Sequence, residues 1–140
     1  MRGRRRIRGR RNMPIGNPYA QYQNSKVLTA SPAELTLMLY DGIIKFTNIA
    51  VDAIGEKDYG KANTNIMKAE RIVDHLVGTL NDKYPVAKDF QNIYACIMDA
   101  LIQGNIKKDV AELERALEYS RMIRETWKEI MKQAEKGTLR

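Results

Sequence analysis

From Ser31 onward, apolar residues recur every three or four positions, in four blocks separated by short polar breaks. That recurrence follows the helical repeat, not the alternation of a strand, and predicts four amphipathic helices. The first block opens with Ser31-Pro32-Ala33-Glu34. This is a capping box: the serine oxygen and Glu34 satisfy each other's backbone amides, and proline at the first helical position has no amide to satisfy. The helix is expected to reach about Ile54, with Gly55 as its C-cap.

The second helix is expected from about Asp58 to Leu80, with Tyr59, Ala62, Ile66, Ala69, Val73, Leu76, Val77 and Leu80 at helical spacing. Asn81-Asp82-Lys83-Tyr84-Pro85 then reads as a turn. A third helix, from about Val86 to Gln103, carries Phe90, Ile93, Tyr94, Ile97, Met98, Leu101 and Ile102, and Gly104-Asn105 is expected to end it. Asp109-Val110-Ala111-Glu112 repeats the capping pattern with aspartate. The helix it opens runs to about Ala134 on a stripe of Leu113, Ala116, Leu117, Ser120, Ile123, Trp127, Ile130 and Met131. Four such helices on short connections bury their apolar faces best as an all-α, antiparallel four-helix bundle.

The first helix has apolar surface to spare. Leu35, Leu39, Ile43, Phe46, Ala50 and Ala53 make one stripe, flanked by Met38 and Ile49, and Leu37, Tyr40, Ile44 and Val51 make a second that Thr47 continues. Such a helix needs two coverings. Either it is packed by bundle helices on both sides, or one side is a groove for a partner segment. Met67, Ile72 and Met122 also fall outside the main stripes of their helices. Upstream, residues 13–30 mix Pro, Gly and Asn with Tyr19 and Tyr22, which reads as loop with a short helix after Pro18. Tyrosine presents a large apolar face and a hydroxyl that tolerates water, so this segment is expected to pack on the bundle and cover the groove when no partner is present. The candidate groove residues are Tyr19, Tyr22, Leu37, Tyr40, Ile44 and Met67.

Charge changes the picture less than the net +7 suggests. Seven arginines, Arg2, Arg4, Arg5, Arg6, Arg8, Arg10 and Arg11, crowd the first 12 residues; without them, 17 basic residues face 17 acidic ones. Residues 1–16 are therefore expected to be a disordered Arg-rich tail, and residues 17–137 a single domain. The tail reads as a nucleic-acid-binding arm, as an artefact, or as translated leader sequence, the reading we favour because Met13 stands just beyond it as an alternative start. A nucleic-acid-binding helical protein acting through this tail is thus the alternative function. No apolar run approaches the ~20 residues of a membrane span, so insertion is not expected.

Candidate chemistry is sparse. A Gly-rich phosphate loop, a GxSxG elbow, an HExxH pair and an EF-hand loop are all missing. His75 and Cys96 are single and fall on different predicted helices, so neither a metal cage nor a disulfide follows, and a reducing compartment is the natural reading. Glu112, Glu114 and Glu118 read as a solvated face among lysines and arginines. Neither an enzyme nor a cofactor is indicated.

Two runs carry a family resemblance. Asn17-Pro18-Tyr19-Ala20-Gln21-Tyr22-Gln23 and Thr29-Ala30-Ser31-Pro32-Ala33-Glu34-Leu35-Thr36-Leu37-Met38-Leu39-Tyr40-Asp41-Gly42 closely resemble the opening of FliS, the flagellin-specific export chaperone family. Lys68-Ala69-Glu70-Arg71-Ile72-Val73, Asn105-Ile106-Lys107-Lys108-Asp109 and Trp127 resemble later parts of the same pattern, over about residues 17–133. The resemblance implies a cytosolic helical bundle that binds the C-terminal region of flagellin, one to one, and prevents its premature polymerisation. It also implies delivery of flagellin to the type III flagellar export apparatus, and leaves a co-chaperone or an anti-sigma factor open as further partners. Tyr19 and Tyr22 match the family's N-terminal segment, which lies over part of the binding surface and is displaced by the client. Gly104 stands where alanine is commoner, and is expected to loosen its helix end by up to ~1 kcal/mol.

Overall fold

The Ser31 capping box closes as its residues require: the Ser31 amide donates to Glu34 Oε1 at 2.8 Å, and the Glu34 amide donates to Ser31 Oγ at 3.1 Å. It starts helix α1, Pro32–Gly55. A computed structural model describes residues 30–137 of the chain. Residues 30–35 hold the cap and first turn of α1; from residue 36 on, the rest of α1 is joined by α2 (Tyr59–Thr79), α3 (Val86–Lys107) and α4 (Val110–Glu135) in a four-helix bundle. The short connections turn each helix back along its predecessor, giving the antiparallel order. The expected N-terminal tail and tyrosine segment lie outside the described residues.

Two of the connections share one device. After Gly55 the chain turns at Lys57, which adopts the left-handed conformation with φ 61°, while the Asp58 amide donates to Ala53 O and the Lys57 amide to Ile54 O. This is a Schellman ending with lysine where glycine is usual. Asp58 then caps α2 by accepting from the Lys61 amide at 3.1 Å. The pattern recurs at Lys108, φ 50°, followed by Asp109, whose carboxylate accepts from the Ala111 amide at 2.9 Å. Asp109 caps as expected, but Glu112 does not complete a reciprocal box; its carboxylate accepts from Arg115 instead.

The expectation that Gly104-Asn105 ends the third helix is corrected. Helix α3 continues to Lys107, and the left-handed turn falls at Lys108, whose ammonium donates to Asn105 O and Oδ1. Gly104 is buried, and a Cβ there would stand 2.5 Å from Leu113 Cδ2. The glycine allows α3 and α4 to approach closely; it does not stop the helix. The expectation that it merely loosens a helix end fails for the same reason.

Along α1 the core line is Tyr40, Ile43, Thr47, Ala50 and Ala53, which runs between the two stripes read from the sequence. Thr47 enters the core because its hydroxyl donates to Ile43 O, one turn back, at 2.7 Å. Asn65 and Ser120, the other two buried polar residues described, do the same to Lys61 O and Ala116 O. Each thus satisfies itself within its own helix and packs as if apolar. Ile72, read as lying outside its stripe, packs on the core, and a Cβ at Gly42 would lie 2.9 Å from its Cδ1. Helix α4 is tied to α3 by Arg115–Asp99 and to α1 by Arg124–Asp41. Such exposed pairs contribute about 0–1 kcal/mol each, so apolar packing holds the bundle.

Candidate client-binding cavity

One end of the bundle is built of aromatic rings. Tyr40 comes from the start of α1, Phe90 and Tyr94 from the first half of α3, and Trp127 from the last third of α4. Four contacts link them in a closed circuit, with centroids 6.4 Å apart for Tyr40–Tyr94, 6.3 Å for Tyr94–Phe90, 6.1 Å for Phe90–Trp127 and 6.5 Å for Trp127–Tyr40. The last three are edge-on, the arrangement favoured by ring quadrupoles. Tyr40 and Tyr94 join hydroxyl to hydroxyl at 2.7 Å. Burial raises both phenol pKa values above the ordinary 10.0.

These rings floor a cavity of about 730 Å³. Leu76, Thr79 and Leu80 from the end of α2 form one wall, Ile130 and Ala134 of α4 another, and Tyr84, Pro85 and Val86 a rim. The rim is open to solvent: Tyr84 is 62% exposed and Val86 49%. The lining is mostly aliphatic and aromatic, with no charged side chain. Among the described residues no group of three or more His, Cys, Asp or Glu is placed to hold a metal ion. His75 is exposed on α2, not buried, and Cys96 is a half-buried free thiol on α3. The cavity offers an apolar surface whose polar side chains are threonine and tyrosine hydroxyls, the Asn81 amide and the Trp127 indole.

Of the six candidate groove residues, four lie among the described residues, and these four do not meet at one place. Tyr40 lines the cavity as part of its floor, fully buried at 0% exposure. Leu37 and Ile44 are half-buried on a flank of α1, outside both the cavity lining and the core cluster. Met67 is exposed, nine residues before Leu76 and thus about 13 Å away along α2. Tyr19 and Tyr22 lie outside the described residues. A helical wheel drawn on α1 alone missed Phe90, Tyr94, Trp127 and the Tyr84–Val86 rim, because the cavity draws on the ends of four helices. The usable signal was level: counted from the turns, Tyr40, Phe90, Tyr94 and Trp127 stand at the same end of an antiparallel bundle.

Comparison with known proteins agrees with this architecture. A family model described as "Flagellar protein FliS" matches residues 15–134. The chain is similar to the flagellar secretion chaperone FliS of Bacillus subtilis (strain 168), 38% identical over 124 residues that cover 89% of this chain and 93% of that protein. It is similar also to the flagellar secretion chaperone FliS of Escherichia coli (strain K12), 27% identical over 115 residues, covering 79% and 85%.

Proposed function

Because this chain belongs to the FliS family of flagellar secretion chaperones, we propose that it binds the C-terminal segment of flagellin in the cytosol, one to one, through the aromatic-floored cavity. The observation that supports this reading is an uncharged cavity of about 730 Å³ with an exposed tyrosine and valine on its rim. Held there, the segment that flagellin needs for filament packing is withheld from other flagellin molecules until the export apparatus receives it. Burying apolar client surface stabilises the complex by roughly 25 cal/mol per Å². Ordering a flexible chain costs about 2–5 kcal/mol, so binding is tight but reversible without nucleotide. In this reading Tyr40 acts as floor, and Tyr19 and Tyr22 cover the binding surface until the client displaces them. Leu37, Ile44 and Met67 are further contacts along the client's path.

Titration calorimetry with flagellin, intact and lacking its C-terminal helices, tests the proposal. Only the intact protein is expected to bind. Removing residues 1–12 leaves that affinity unchanged if the bundle carries the function, and lowers it if the arginine tail does. Equal binding of the truncated flagellin would overturn the reading.

A further inference from the structure

A different face of the bundle gathers charge. On α2, Lys61, Lys68 and Arg71 are exposed and fall within about 80° of one another around the helix. Lys45 of α1 joins them across Phe46: the Lys45 and Lys68 ammonium nitrogens each stand 5.4 Å from the centre of that ring. Arg115 and Arg124 each pair with two carboxylates, whereas among the described residues none of Lys45, Lys61, Lys68 and Arg71 has a carboxylate within 4.0 Å. Between these cations the surface is apolar, since Phe46 and Ile72 are half-buried and pack on the core. None of these residues lines the aromatic-floored cavity.

We propose that this α1–α2 face docks an acidic amphipathic segment of a partner protein. Its carboxylates meet Lys45, Lys68 and Arg71, and an apolar side chain rests on Phe46 and Ile72. Charge complementarity identifies the occupant: two ammonium groups over one ring, with Arg71 one turn on and no described carboxylate within 4.0 Å of any of them, are matched by carboxylates arriving from outside. A nucleic acid fits less well. Polyphosphate binding depends on a broad positive field. Residues 36–137 carry 15 Lys and Arg against 16 Asp and Glu, the remaining basic residues being the seven tail arginines, Lys26 and Arg140. The apolar floor would also go unused by a phosphate backbone, while it supplies an anchor for a peptide.

The test is an NMR titration of the full-length protein with a synthetic helix-forming peptide that has leucines on one face and glutamates beside them. A control peptide carries glutamine for glutamate, and a single-stranded DNA oligonucleotide is titrated in parallel. The glutamate peptide is expected to shift amides in residues 42–49 and 65–72, and to bind at least about tenfold more tightly than the glutamine peptide. The double variant Lys68→Glu/Arg71→Glu should lose at least about tenfold in affinity. Lys45→Gln/Lys68→Gln should lose less, with circular dichroism confirming the fold of both. Equal binding of the two peptides overturns the proposal. So do shifts confined to residues 1–12, affinity unmoved by both double variants, or DNA binding at this face without peptide binding.

Discussion

Tyr40 and Tyr94 illustrate how much can rest on one pair of atoms. Their hydroxyls bond at 2.7 Å in a site closed to solvent, the only buried side-chain-to-side-chain hydrogen bond among the described residues. Tyr40→Phe would strand the Tyr94 hydroxyl, at an expected cost of about 1–3 kcal/mol, whereas replacing both by phenylalanine should cost less than the two single changes summed. Urea melts of the four proteins measure this coupling. The same burial makes a pH prediction. Both pKa values lie above the ordinary 10.0 in the folded state, so the folded protein holds these protons more firmly than the unfolded chain. The resulting stability is complete below pH 10 and is lost as pH rises further. Two of the seven tyrosines should therefore resist ionisation, read as absorbance near 295 nm, until the alkaline unfolding transition. Glycines divide in the same local way. Gly78 faces open space, and Gly78→Ala should stabilise by about 0.5–1 kcal/mol. Gly104→Ala would drive a methyl into Leu113 and destabilise by about 1–3 kcal/mol, against the ordinary helix preference.

For the helices, starts were read more securely than ends. Ser31, Asp58 and Asp109 each accept a hydrogen bond from a backbone amide two or three residues on, so each start depends on residues adjacent in sequence. Only the end of α3 was misplaced. The left-handed turns of the two connections fall on lysine, which has no special preference for that conformation, and Gly104 reads as the stop. Past α4 the left-handed residue is a glycine, Gly137, with φ 77°. The Lys-Asp pair at 57–58 and 108–109 marks both turns. A left-handed lysine costs about 1–2 kcal/mol relative to a right-handed conformation. Lys57→Gly is thus expected to raise stability by about 0.5–1 kcal/mol, after allowance for the more flexible unfolded chain. Lys108→Gly should gain less, because it also removes two hydrogen bonds to Asn105. Chemical denaturation of the two variants side by side makes the comparison.

Across the whole molecule, the division between a rigid floor and an open rim decides where binding can be altered without unfolding. Tyr40, Phe90 and Tyr94 are core residues, so their substitution would confound binding with stability. Tyr84→Asp and Val86→Asp alter only exposed rim positions, and each is expected to weaken flagellin binding by about tenfold or more while the thermal unfolding temperature stays close to that of the parent. Calorimetry on the folded variants checks this, and unchanged affinity at both positions would move the binding site elsewhere. The sequence by itself determined the four helices, their N-terminal caps and the family, since each depends on periodicity or on residues a few positions apart. Only the tertiary structure decided that Tyr40 is floor and not surface, that Gly104 is a contact and not a stop, and that four helix ends enclose one cavity. Those facts depend on which atoms of distant segments meet, and hydrophobic spacing along one helix records only that a face is covered, not by what.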